Sequence, residues 1–146
     1  MNNKNAPKQL ANFPVQVNIK LALLWVTLML LYIYADYFNL MAPGRIKDMM
    51  ELRTPVGPTT PGVLVAFSIL LMVPALMIAL SVFLQPVWNK WVNIVAAGFY
   101  AIISILIVVS GMGNSWQTFF VLYNVVELFV LAAIIVQAWK WPVVSL

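Results

Sequence analysis

Four long apolar runs, almost free of charge, decide what this chain can fold into. They cover approximately residues 19–40, 61–84, 91–110 and 116–139. Each approaches or exceeds the ~20 residues a helix needs to cross a ~30 Å hydrocarbon core. Lipid offers no hydrogen bonds at that depth, so each run is expected to satisfy its own backbone as an α-helix. Composition closes off the soluble alternative: 64% of the residues are hydrophobic and 8% charged, against about 25% charged in an ordinary soluble domain. The chain therefore reads as an all-α integral membrane four-helix bundle whose first partner is the lipid bilayer. We read residues 1–146 as a single membrane domain, with a polar tail over 1–18 and no soluble catalytic module.

The first run has to be separated from a signal peptide. Lys4, Lys8 and Lys20 would suit such a segment, but the apolar stretch from Leu21 to Tyr34 continues through aromatics into Asp36. No small-x-small cleavage site precedes it, so a retained helix is expected. Tyr32, Tyr34 and Tyr37 near its far end suit an interfacial aromatic belt.

The connection after this span holds most of the polar chain. Pro43-Gly44 breaks the helix, and from Arg45 to Arg53 charges alternate with Ile46, Met49, Met50 and Leu52. That spacing predicts a short interfacial helix between spans one and two. Pro55, Pro58 and Pro61 then recur at intervals of three, the period of polyproline II, which predicts a stiff spacer. Thr60-Pro61 reads as a helix cap followed by proline at the first helical position. Pro74, inside the second span, frees the carbonyl of Leu70. Gln85-Pro86 is expected to end that span, and the short turn from Trp88 to Trp91 makes spans two and three antiparallel neighbours. A second tight turn runs from Gly111 to Ser115, where Gly111 and Gly113 supply backbone freedom. Val17-Asn18-Ile19 and Val92-Asn93-Ile94 open spans one and three alike, the pattern of a duplicated helix pair.

Cysteine and histidine are both absent. That removes disulfides, thiol redox chemistry, most zinc and haem ligation and histidine acid–base catalysis. No enzyme motif, metal-ligand cluster or phosphate-cradling loop is present, so neither a cofactor nor an enzymatic activity is expected. The net charge of +4 reflects Lys and Arg at span ends, where they anchor helices at headgroups, and no nucleic-acid partner is expected. Lys4, Lys8, Lys20, Lys90 and Lys140 fall on one side, Arg45, Lys47 and Arg53 on the other. The excess places both termini in the cytoplasm.

Glu127 is the residue that points toward function. It lies about 16–18 Å from either end of the fourth span at ~1.5 Å per residue. A carboxylate that deep costs roughly 2.5–3.5 kcal/mol and usually faces a bundle interior. Tyr123 and Asn124 lie one turn away, and Tyr32, Pro74, Tyr100 and Ser104 fall at similar depths on the other spans. Asp36 shares a face with Tyr32, about 10–12 Å nearer the loop side. Glu127, Asp36, Tyr32, Tyr100, Tyr123 and Asn124 are thus the candidate ligand-binding residues of a polar cleft opening toward the loop. Met41, Met49 and Met50 could form an adaptable lid over it, or simply dissolve in the headgroups.

Buried polar groups also hold membrane helices together, at about 0.6 kcal/mol per interhelical bond. A protonated Glu127 donating to the freed Leu70 carbonyl would do that and no more. Asp36 could likewise reach interfacial water or pair with Arg45, and Tyr100, Ser104 and Asn124 could serve packing alone. The reading adopted is a membrane protein that binds a small or lipid-like ligand around Glu127 and Asp36. The alternatives are a proton-coupled small transporter acting as a homo-oligomer, in particular a dimer, and an accessory subunit with no ligand. Small multidrug exporters share the span number and the midplane carboxylate, but carry the carboxylate in their first span and have shorter loops. An enzyme using Asp36 and Glu127 as acid and base is disfavoured by their vertical separation.

One set of residues carries a resemblance: Tyr34-Ala35-Asp36, Pro43-Gly44, Thr60-Pro61-Gly62, Asn89-x-Trp91-x-Asn93-Ile94 and Glu127. On these the chain resembles a family of small bacterial four-span membrane proteins known as a domain of unknown function. The likeness covers most of the chain from the first span onward. It implies the architecture alone, and no activity; the location expected for such a chain is the bacterial inner membrane. In span number and size alone the chain is also similar to DoxX-type four-helix membrane proteins.

Overall fold

The structure is a computed structural model that describes residues 14–54 and 57–142. Most of the tail expected over residues 1–18, with Lys4 and Lys8, lies outside the described residues, as does Pro55. The chain runs α1 (Val17–Asn39), α2 (Arg45–Met50), β1 (Arg53–Thr54), β2 (Gly57–Pro58), α3 (Pro61–Phe83), α4 (Pro86–Gly111), a 3₁₀ turn (Ser115–Gln117) and α5 (Thr118–Trp139). Four helices are long and apolar enough to cross a membrane: α1, α3, α4 and the Ser115–Trp139 segment that contains α5. The short interfacial helix expected after the first span corresponds to α2.

Each long helix buries a narrow seam. Leu21, Trp25, Leu28 and Ala35 do so on α1, and Pro74, Met77 and Ser81 on α3. On α4 the seam is Asn89, Asn93, Ala97, Tyr100, Ser104 and Gly111, and on α5 it is Asn124, Glu127, Leu131, Ile134 and Ala138. Steps of three, four and seven keep such residues on one helical face. Outside the seams large aliphatic and aromatic side chains are exposed, among them Leu23, Ile102, Leu106 and Phe129. The polar side chains Ser81, Asn89, Asn93, Ser104, Asn124 and Glu127 are buried. Apolar outside and polar inside is the distribution a lipid solvent selects.

Around the bundle, α1 packs against both α3 and α5, and α5 packs along α4. Spans two and three are joined by a short corner, but their backbones approach each other only sparsely. The two are antiparallel neighbours, as expected, held by side-chain bonds more than by close backbone approach. The reason lies at the corner itself. Leu84 and Gln85 are both extended, and Pro86 starts α4 as its first helical residue. Trp88 to Trp91, expected as a turn, are therefore the opening turns of α4. Gln85-Pro86 begins a helix as much as it ends one.

The polyproline spacer is also corrected. β1 and β2 pair antiparallel, Arg53 opposite Pro58 and Thr54 opposite Gly57. The Thr54 hydroxyl donates to the Gly57 carbonyl (2.8 Å), and Thr59 N–H to the Leu52 carbonyl (2.6 Å). The chain doubles back because these bonds satisfy backbone groups that polyproline II leaves to solvent. Thr60 caps α3 as expected, accepting from Val63 N–H at 3.3 Å. At the other turn, a Cβ on Gly111 would stand 2.8 Å from a Val121 methyl, so a side chain there would force Val121 to shift. Gly113 takes φ +95° to complete the turn. The two similar tripeptides do not occupy equivalent places. Asn18 is half-buried at the first turn of α1 and its oxygen accepts from the adjacent Ile19 N–H, whereas Asn93 is fully buried in α4.

Candidate functional site

Two groups of buried polar side chains lie inside the bundle, and they differ in kind. The first sits by the α3–α4 corner. Asn93 Oδ1 accepts from Trp25 Nε1 at 2.7 Å and from Ser81 Oγ at 3.2 Å. Its Nδ2 donates to the Asn89 carbonyl (2.9 Å) and to Asn89 Oδ1 (2.7 Å). Asn89 Nδ2 in turn donates to the Ser81 carbonyl at 2.6 Å. The network ties α1, α3 and α4 together and leaves neither asparagine with an unpartnered side-chain atom. Nearby, Lys90 Nζ donates to the Trp139 carbonyl at 3.2 Å and lies 5.1 Å from the Trp139 ring centroid. A lysine there complements the carbonyl end of α5.

The second group surrounds Glu127 and faces a cavity of about 540 Å³, within the range of small-molecule sites. Tyr32, Ala35 and Asp36 of α1, Leu70 of α3, Tyr100 and Ser104 of α4, and Asn124 and Glu127 of α5 all line it. Asn39, Arg45, Ser110 and Gln117 line its end toward α2 and the 3₁₀ turn. Glu127 is 2% exposed and its Oε2 accepts from Ser104 Oγ at 3.2 Å. Asn124, also 2% exposed, donates through Nδ2 to the Phe120 carbonyl of its own helix at 2.9 Å. Its Oδ1 is buried without a hydrogen-bond partner. Such an oxygen carries a desolvation cost of about 1–3 kcal/mol.

Tyr100 is the hub of an aromatic array. Its ring stands edge-on to Trp25, with centroids 6.3 Å apart, and at 6.4 Å from Tyr32. Its hydroxyl donates to the Leu70 carbonyl at 2.5 Å. That carbonyl is the one Pro74 frees, so the expected acceptor exists but a different donor fills it. Glu127 belongs to α5, and its bonded partner is Ser104 across the α4–α5 seam.

Of the six residues named from the sequence, Glu127, Asp36, Tyr32, Tyr100 and Asn124 line one cavity. Tyr123 does not line it; its ring leans toward Phe38, centroids 6.4 Å apart. Asp36 is exposed at the cavity end, and no ion pair forms between it and Arg45 among the described residues. The acidic partner of Arg53 and Lys47 is Glu51, at 2.6 and 3.9 Å. Met41, Met49 and Met50 do not line the cavity and are 63%, 59% and 81% exposed. They are apolar surface on the α2 excursion rather than a lid. The sequence reading missed the corner network altogether, although two asparagines four apart, Asn89 and Asn93, were its signal.

Four apolar membrane-length helices with polar side chains gathered inside them define a multi-pass membrane protein. Residues 11–145 match the Family of unknown function (DUF6326), and the chain belongs to that family. No curated protein and no solved structure matches the chain.

Proposed function

We propose that the cavity around Glu127 and Asp36 binds a small or lipid-like ligand carrying hydrogen-bond donors. The observation that supports this most directly is the cavity itself, whose wall brings the buried Glu127 together with Asp36, Tyr32 and Asn124. The wall carries two carboxyl groups, Asp36 and Glu127, with Arg45 the lone cation among the described lining residues. Tyr32, Phe67, Tyr100 and Phe120 add ring surface to the same wall, which suits an organic ammonium head.

The Ser104–Glu127 bond across α4 and α5 favours a second reading, an accessory subunit in which Glu127 only fixes helix register. Infrared difference spectra of the full chain in nanodiscs separate the two, with Glu127→Gln as the reference. Ligand binding predicts a carboxyl band, missing in the variant, that shifts when butylamine or another small amine is added. A Glu127 band indifferent to every added amine and lipid would leave the register role as the better account.

A further inference from the structure

A second hollow lies on the other side of the same wall. It is a groove of about 770 Å³ between α3 and α4, lined almost wholly by apolar side chains. The groove exists because these two helices, joined at their corner, pack so little along their length. Leu70 and Tyr100 line both the groove and the Glu127 cavity. The bond from the Tyr100 hydroxyl to the Leu70 carbonyl is therefore the partition between a polar chamber and a lipid-facing slot.

The geometry points to one bipartite site for a single-chain amphiphile. Its donor-bearing head sits at Glu127 and Asp36, and its hydrocarbon tail takes the place of the Tyr100–Leu70 bond, passing between α3 and α4 into the groove. This rests on the ligand-binding reading above and adds the ligand's class and its route. A tail fits the groove better than a partner's helix does. A helix with its side chains is ~10–12 Å across, and close helix pairing in membranes uses small residues. Here Ala66 and Ala96 are the small residues, and the lining includes Leu76, Trp88, Trp91 and Phe99. The shared wall supplies the second argument: an occupant of the groove alone would make no use of the adjoining chamber.

The test uses the full chain in phosphatidylcholine nanodiscs and a long-chain alkylamine with a photoreactive diazirine at its tail end. The expected result is labelling concentrated on groove residues of α3 and α4. Excess butylamine, which has a head and almost no tail, displaces that label, and Ala96→Trp, which fills the groove, loses it. If Ala96→Trp fails to fold, Val95→Trp on the exposed lip repeats the experiment. Label spread evenly over lipid-facing positions such as Leu23, Leu30 and Phe129 overturns the inference. So does a groove label that butylamine leaves in place while still shifting the Glu127 carboxyl band; there the ligand-binding reading survives and the tail route falls. If butylamine neither shifts that band nor displaces label, the reading itself fails and takes the inference with it. A change in oligomeric state in Ala96→Trp would assign the groove to a second copy and also overturn the proposal.

Discussion

Asn93 and Asn124 are both asparagines, both buried in a four-helix bundle that faces lipid, and the fold treats them oppositely. Asn93 uses its oxygen twice and its amide twice, binding Trp25, Ser81 and Asn89 into one closed network. Asn124 makes one bond within its own helix and leaves its oxygen bare beside Glu127. In a medium without water, a satisfied buried amide is cohesion and an unsatisfied one is a liability. The corner therefore reads as the part of the bundle that holds it together. The Glu127 cavity reads as the part kept open at the expense of stability, a pattern typical of functional sites.

That contrast breaks most decisively at Asn93. Asn93→Ala strands the Trp25 N–H, the Ser81 hydroxyl and the Asn89 oxygen, and should destabilise the protein by about 2–3 kcal/mol. Thermal unfolding in detergent measures it; a loss no greater than the ~0.6 kcal/mol of one average interhelical bond would deny the corner its bracing role. Asn124→Leu should have the opposite sign. Removing an unpaired oxygen is expected to stabilise the chain by about 1 kcal/mol while ending any response of the Glu127 band to amines. A destabilised Asn124→Leu would show that the oxygen has a partner, and the contrast would collapse. The smallest effect is expected from Tyr100→Phe, about 0.6 kcal/mol, because the ring stays and only the bond to Leu70 goes. Isotope-edited infrared of the Leu70 carbonyl should then show its stretch move to higher frequency.

Much of this arrangement could be read from the residues. Long uncharged runs place the membrane helices, Thr60-Pro61 marks the start of α3, and depth along each helix brings Tyr32, Tyr100 and Asn124 to the level of Glu127. Depth is set by the 1.5 Å rise, which sequence spacing reports directly. Rotation of a helix about its own axis is not. Tyr123 and Glu127 are four apart, yet Tyr123 leans on Phe38 and Glu127 turns to Ser104. Which donor reaches the Leu70 carbonyl is a question of the same kind, and Tyr100 answers it. The corner network was hidden by a boundary. Reading Gln85-Pro86 as a stop put Asn89 outside the helix, and only its place in the first turns of α4 aligns it with Asn93. The hairpin after α2 depends on backbone pairing between residues that carry no alternation to announce it.

Pro74 gives α3 an acceptor that its own ladder never uses, and Tyr100 reaches it from another helix. Such a bond is a fastener that can be undone without unwinding anything. Losing it would disturb one phenol and one carbonyl, not a helical turn, so both rods would stay intact without it. A defect in one helix thereby becomes a catch between two, at the level where the polar cavity and the apolar groove share a wall.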